Sequence, residues 1–501
     1  MNIADRLRDS ARRLPTKPAL HYHGQDLTYG QLDARVDRAA AALQGLGLDQ
    51  GDRVGLLLGN SPHFVEGMYG ALRAGLVAVP LNTGSTTEEI ARILGDAGAR
   101  AVIVDEACYP ALVGVAEGLP CVEEVVVVGA SAPVGGTQTW RQLLDAAPDR
   151  PRATDVAGDA LALLQYTSGT TGRPKGAMLS HANLLANQEQ MRGTRLKLFE
   201  RDVLLCVLPL FHIYGLNVGL ALPLSCGATV VLVERFDPVG TIEQIVRLRV
   251  SVIVGAPPAY IAWGNVPGIE DYDLSSVRFA VSGAAPLPGA VLRRFTEELG
   301  IGLWEGYGLT ETSPVLTAVE MHAEPRPGSV GSPVRGVALR LVDDRGRPVS
   351  DGDLGEVVVR GPNVFSGYWN ARAATAEAID EDGWFHTGDI GYVADGDLYL
   401  VDRKSDLIIV SGFNVYPREV EEVLHRHPKV AEAAVVGAPH PYTGESVKAV
   451  LVLHEGEEAT AEEIVQFCGR WIARFKCPTI VEFVDHLPYA APGKVKRRQL
   501  R

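Results

Sequence analysis

Paired cysteines, long apolar runs and an excess of positive charge are all missing from this sequence. Its six cysteines, Cys108, Cys121, Cys206, Cys226, Cys468 and Cys477, are scattered and include no C-x-x-C pair. That spacing carries no signature of a zinc site or redox couple and fits a reducing, cytoplasmic setting. No stretch of about 18 apolar residues runs without a charge or turn signal, so no segment reads as a membrane span. The Arg-rich amphipathic start at Met1 lacks the apolar core of a secretory signal, so secretion is not expected, while contact with a membrane surface stays open. A net charge of −14 opposes nucleic-acid binding, which needs a basic face to neutralise phosphates. Small molecules are the expected partners.

At 501 residues the chain exceeds what one core can serve, and its 46% hydrophobic and 22% charged residues are those of a globular protein, so two or more domains are expected. Short β-branched runs at Ala101–Val104, Val203–Pro209, Ala228–Val233 and Ser251–Gly255 alternate with helix-length segments, a pattern that predicts parallel sheets covered by helices. Ser85-Thr86-Thr87-Glu88 reads as a capping box ahead of Ile90, Ile93, Leu94 and Ala97 at helical spacing. Beyond about residue 330, turns such as Asp343-Asp344-Arg345-Gly346 punctuate β-rich runs and predict a smaller β subdomain. Two later helices are marked by Pro417, and by Thr460-Ala461-Glu462-Glu463 ahead of Ile464, Phe467, Cys468 and Trp471.

The run Thr167-Ser168-Gly169-Thr170-Thr171-Gly172-Arg173-Pro174-Lys175-Gly176 follows the apolar segment Leu161–Leu164. Glycine, serine and threonine leave N–H groups and hydroxyls free to wrap phosphate oxygens, and Lys175 adds a cation. Read alone, the run is either a polyphosphate clamp or a polar linker. The G-x-x-x-x-G-K-[ST] spacing is absent, which excludes the P-loop NTPases.

With Pro209-Leu210-Phe211-His212, Gly306-Tyr307-Gly308-Leu309-Thr310-Glu311, Trp384-Phe385-His386-Thr387-Gly388-Asp389, Asp402-Arg403-Lys404-Ser405-Asp406 and Pro492-Gly493-Lys494, the loop resembles the ordered motifs of the adenylate-forming superfamily of acyl-CoA synthetases, luciferases and amino-acid adenylation domains, over nearly the whole chain. The resemblance implies an α/β fold: a large N-terminal domain of two stacked α/β subdomains plus a β subdomain, residues 1–404, and a small mobile α+β C-terminal domain, residues 405–501. It implies an ATP-dependent acid:CoA ligase. The acid oxygen attacks the α-phosphorus of ATP and expels pyrophosphate, and the thiol of coenzyme A then displaces AMP from the acyl-adenylate. ATP, Mg2+ and coenzyme A are the implied cofactor and co-substrates.

The same resemblance assigns roles. Thr167, Ser168, Gly169, Thr170, Thr171, Gly172 and Lys175 would hold phosphates, Thr310 would place its hydroxyl near the α-phosphate, and Glu311 with Thr170 would hold magnesium. Tyr307, flanked by Gly306 and Gly308, would form the adenine wall opposite Gly283, Ala284 and Ala285. Asp389 and Arg403 would meet the ribose, Lys494 would bridge the acid and the α-phosphate, and His212 would border the acid. Read alone, Glu311 is equally a helix cap, and Asp389 equally a turn residue. Ser405 occupies the pivot where relatives carry Asp or Lys, a departure that puts the charge near the pivot in question. Ser411, Gly412 and Phe413 would line the coenzyme A tunnel; the same segment can be a plain hairpin.

Candidate acyl-pocket residues by resemblance are His212, Tyr214, Asn217, Val218, Ala256, Tyr260, Ser282, Trp304 and Gly306, an uncharged and mostly apolar set. The expectation is a medium- or long-chain fatty acid, with aryl acids next and malonate-like diacids third, since no buried cation is evident and Arg278 sits where relatives of many specificities carry a base. No carrier domain follows Lys494, so free coenzyme A is the expected acceptor. Two other classes stay open: a nucleotide-binding protein of this fold without turnover, and a membrane-surface scaffold using the basic terminus Lys496–Arg501.

Overall fold

Brief β-branched runs separated by helix-length segments build two seven-stranded sheets in the computed structural model of the chain, which describes residues 1–116, 118–130, 137–167, 174–194, 196–319, 324–410, 413–440, 444–490 and 494–501. Ser168, Gly169, Thr170, Thr171, Gly172, Ser411 and Gly412 lie outside the described residues, as does the side chain of Ser405. The chain divides into two compact units. One comprises Met1–Arg326, Ser332–Ala338 and Arg360–Phe385, and the other Pro327–Gly331, Leu339–Val359 and His386–Arg501.

Both large sheets belong to the first unit. One runs in the order Leu303–Glu305, Phe279–Ser282, Val252–Gly255, Val203–Cys206, Thr229–Leu232, Pro18–Tyr22, Gln25–Thr28, and all its neighbours are parallel except the last pair. The other runs Gln138–Thr139, Glu124–Val128, Ala99–Asp105, Arg53–Leu57, Val77–Pro80, Leu161–Thr167, Lys175–Ser180, parallel until its final antiparallel pair. Helices cover these sheets because the strands are apolar on both faces, as buried parallel strands must be. Ile242, Ile245, Tyr260, Trp263 and Phe295 pack on one face of the first sheet around Leu205, Ile253, Ala280 and Leu303.

Two local expectations shift. The helix Thr87–Ala97 is capped by Thr86, whose side chain accepts from the Glu89 N–H while Glu89 returns the bond, so the capping box lies one residue later than Ser85–Glu88. Ser85 instead closes a turn on the Asn82 carbonyl, and the buried stripe of Ile90, Ile93, Leu94 and Ala97 is the same for either start. Trp471 leaves the buried face of its helix: Ala461–Cys468 ends at Gly469, and the indole, 57% exposed, lies under the Arg426 guanidinium instead.

The second unit holds most of a four-stranded sheet, Ala338–Val342, Gly355–Arg360, Phe385–Ala394 and Asp397–Arg403, and a five-stranded one built on the long pair Val430–His440 and Gly444–Leu453. Pro417 opens the helix Pro417–Leu424 at its first position, where a missing N–H costs nothing, and Val420 and Leu424 are fully buried against the second sheet.

Candidate functional site

Parallel strands emit their loops at one edge, and ligands of open α/β sheets bind at that edge. Here the segments leaving Val203–Cys206, Val252–Gly255, Phe279–Ser282 and Leu303–Glu305 carry Pro209–His212, Ala256, Gly283–Ala285 and Gly306–Glu311. Four motifs far apart in the chain thus meet along one edge of the first unit. Ala284 takes φ +72°, a conformation that L-residues with a Cβ adopt at a cost of order 1–3 kcal/mol.

The segment bearing His212 is clamped from the other sheet. Asn60 donates to the carbonyls of Leu208 (2.8 Å) and Val233 (3.0 Å) and accepts from the Leu210 N–H (2.7 Å), and Gln165 donates to the Phe211 carbonyl at 2.7 Å. His212 is half-buried, and its Nδ1 accepts from the Tyr214 N–H at 3.2 Å, which orients the ring and leaves Nε2 to carry the proton.

Among the candidate pocket residues, Tyr214 is buried with its ring where a Cβ on Gly283 would come within 3.0 Å, and its hydroxyl donates to the Val281 carbonyl at 3.3 Å. Burial in an apolar site drives its phenol pKa far up, so it stays a neutral donor. Trp304 is paired with Val281 across the strands and folds its indole over Gly302. Val218 and Ala256 are buried. Asn217 spends its amide inside the protein, donating to the Ser313 carbonyl (2.6 Å) and accepting from Gln188 (2.9 Å). Tyr260 sits in the apolar core with its hydroxyl on the Val281 carbonyl at 2.8 Å. Ser282, fully buried, shares its sheet face with Glu305.

The strands on either side of the glycine-rich run are antiparallel, with Thr167 paired with Lys175. Segment 366–369 runs along the far side of Lys175–Ser180, with the Trp369 N–H on the Gly176 carbonyl at 2.8 Å. That pairing brings Tyr368 under the Lys175 ammonium, 5.2 Å from the ring centroid, and its hydroxyl donates to Glu311 Oε1 at 2.8 Å. Glu311, 8% exposed, lies in the turn Thr310–Thr312 beside Tyr307. A single buried carboxylate suits Mg2+, which keeps most of its waters and binds through one or two carboxylates plus substrate phosphates. Among the described residues no cluster of three or more His, Cys, Asp or Glu could hold a metal by itself.

In the second unit, Asp389 and Arg403 are cross-strand partners, and Arg403 Nε lies 3.2 Å from Asp389 Oδ1. Gly388 at φ +72° turns the strand there, and the Asp389 N–H is held by Thr387 Oγ1 at 3.1 Å. Lys494 opens the short strand Lys494–Val495. Lost hydration, then the Arg403 charge, lower its ammonium pKa to about 8, against Asp389 and Asp406, which raise it. Because the residue remains exposed at the surface, solvent screening makes this the largest shift to expect. Lys404 pairs with Glu356 (3.2 Å) and Asp344 (3.5 Å), and Phe413, 58% exposed, leans on Phe475 with ring centroids 4.9 Å apart.

Tyr368, Asn60 and Gln165 escaped the sequence reading. Gly59-Asn60-Ser61-Pro62 reads only as a turn and a helix start, and Tyr368 follows Gly367 in a stretch without a charged neighbour; nothing local marks either.

Residues 7–369 match the family described as AMP-binding enzyme, and residues 419–494 match the AMP-binding enzyme C-terminal domain. The chain is similar to a long-chain-fatty-acid–CoA ligase of Bacillus subtilis, 36% identical over 99% of this chain and 93% of the relative. It is similar to a feruloyl-CoA synthase of an Amycolatopsis species, 38% identical over 98% and 96%. A crystal structure of the anthranilate CoA ligase AuaEII in complex with anthranoyl-AMP superposes with a TM-score of 0.92 at 30% identity, covering all of this chain and 96% of the other.

Proposed function

Since the chain belongs to the AMP-binding enzyme family and is an acid–thiol ligase that uses ATP, Mg2+ and coenzyme A, we propose that its acid is an apolar monocarboxylate with no charge beyond the reacting carboxylate, with a medium- or long-chain fatty acid as the first candidate. The observation that carries this is the absence of any charged side chain among the pocket candidates. Arg278, at the position where relatives of many specificities carry a base, pairs with Asp202 at 2.7 Å, and these two residues enter their strands at the amino-terminal edge, opposite the site. A diacid needs a partner for its second carboxylate, because an unpaired charge in an apolar pocket is expensive. An aryl acid is the second reading, favoured by the Tyr214 ring fixed against Gly283. The two are separated by AMP release from octanoate, palmitate, ferulate, benzoate and malonate with and without coenzyme A. Octanoate and palmitate are expected to lead. Turnover of malonate above both groups would sink the proposal.

The residues divide the work as follows. Thr167, Lys175 and the intervening loop hold phosphates, and Thr310 meets the α-phosphate. Glu311, with Thr170, would hold the magnesium, whose chemistry there would be to offset phosphate charge. Tyr307 walls the adenine opposite Gly283–Ala285, and Asp389, with two acceptor oxygens, takes the ribose diol beside Arg403. His212, Tyr214, Val218, Ala256, Trp304 and Gly306 shape the acid site. Ser405 serves as pivot for a C-terminal domain spanning 405–501, whose Phe413 borders coenzyme A.

Lys494 contributes as a cation, so its charge must be present. With the pKa lowered to about 8 from 10.5, the ammonium is lost as pH rises through about 8. Adenylation followed as kcat/KM, which reports free enzyme, is expected to fall at alkaline pH with a midpoint at or above about 8, and Lys494→Arg should remove that limb. A profile flat to pH 9.5 in the parent enzyme would count against the role.

A further inference from the structure

Glu311 is held twice by one segment of chain. The Phe365 N–H donates to its carbonyl at 2.8 Å, and three residues later the Tyr368 hydroxyl donates to its carboxylate at 2.8 Å. The segment is itself registered on the strand that leaves the phosphate loop, through Met178 N–H to the Gly367 carbonyl (3.0 Å) and Trp369 N–H to the Gly176 carbonyl (2.8 Å). Tyr368 is further fixed by its own N–H on Thr375 Oγ1 at 2.9 Å and by the Phe365 ring, 4.9 Å away.

The choice of donor matters. A lysine or arginine at 2.8 Å would neutralise the carboxylate and compete with a cation for it. A phenol orients one oxygen and leaves the full negative charge in place. Meanwhile the face of the same ring attracts the Lys175 ammonium. One side chain therefore touches both the lysine at the end of the phosphate loop and the carboxylate of the Thr310–Glu311 turn, two groups proposed above to serve the same triphosphate.

We infer that Tyr368 is a positioning residue for magnesium-dependent ATP binding, its hydroxyl setting the rotamer of Glu311 and its ring docking Lys175. This rests on the proposed role of Glu311 at the metal. Partners that orient a metal-ligating carboxylate are worth about 10- to 100-fold in metal affinity.

The test is calorimetric titration of the full-length protein with ATP, in EDTA and across a series of Mg2+ concentrations, with no acid or coenzyme A present. Tyr368→Phe is expected to raise the Mg2+ concentration that gives half-maximal ATP affinity by about 10-fold. Affinity in EDTA and the melting temperature should match the parent. Phe365→Leu, which loosens the edge-to-face ring contact but keeps the hydroxyl, should shift the Mg2+ midpoint less than Tyr368→Phe does. A parental midpoint in Tyr368→Phe, an equal shift in Phe365→Leu, or a loss of affinity already present in EDTA overturns the inference. Glu311→Gln tests the premise separately: it should abolish the Mg2+ response, and a response that persists removes the premise whatever Tyr368→Phe does.

Discussion

Replacing Lys494 with alanine is expected to lower acid-dependent ATP–pyrophosphate exchange by on the order of a hundred- to a thousandfold, while thioester formation from supplied acyl-adenylate and coenzyme A stays within a fewfold of the parent. The first step brings two anions together, and a cation placed between the acid oxygen and the α-phosphate supplies stabilisation that grows as charge moves in the transition state. The second step starts from a mixed anhydride in which the acid has lost its charge and only the phosphate keeps one, so no carboxylate anion has to be brought up to phosphate. Lys494 lies in the field of Asp389 and Arg403 within the second unit, so its charge is already set within the group proposed to hold the ribose. The substitution removes an exposed side chain from a short terminal strand, and the fold should be unaffected. Equal loss in both half-reactions would sink the assignment.

Gly308→Ala is expected to reduce adenylation by about 100-fold or more and to cost about 1–3 kcal/mol of stability. A Cβ at this position would stand 1.8 Å from the Pro314 carbonyl oxygen and 2.7 Å from its carbon, both backbone atoms that cannot rotate away. Relief requires the strand Tyr307–Gly308 to part from Val315, its partner across the hairpin that encloses Thr310 and Glu311. A displacement near 1 Å at reacting groups is enough for such a loss. Activity should fall more than melting behaviour predicts, measured as pyrophosphate exchange against thermal unfolding in the same preparation. Parental exchange in a folded Gly308→Ala protein would show that the turn tolerates the shift. Backbone crowding against Pro314 and Val315 thus accounts for the glycine of the Tyr-Gly-x-Thr-Glu sequence.

Local chemistry was enough to locate much of this protein. Strand and helix alternation, the Pro417 start, the Thr460 cap and the ordered motifs depend on nearest neighbours, and each is found close to where the sequence places it. Errors of one residue arise where two local solutions are nearly equal, as at Ser85 and Thr86, both able to cap the same buried stripe. What sequence could not supply was the long-range pairing. Tyr368 meets Glu311 across 57 positions, and Asn60 grips Leu208 across 148. Neither residue differs in its neighbourhood from an ordinary core tyrosine or turn asparagine. Tertiary structure also tied Arg278 to Asp202, paired Thr167 with Lys175, and engaged the amide of Asn217. The reason is physical: periodicity and capping are settled within a few residues, whereas a polar side chain takes its meaning from whichever partner the fold brings within about 3 Å. Resemblance of the ordered motifs pointed to an acid-activating site; only the fold decided which of those groups, such as Glu311 and Tyr368, lie within hydrogen-bond reach of each other.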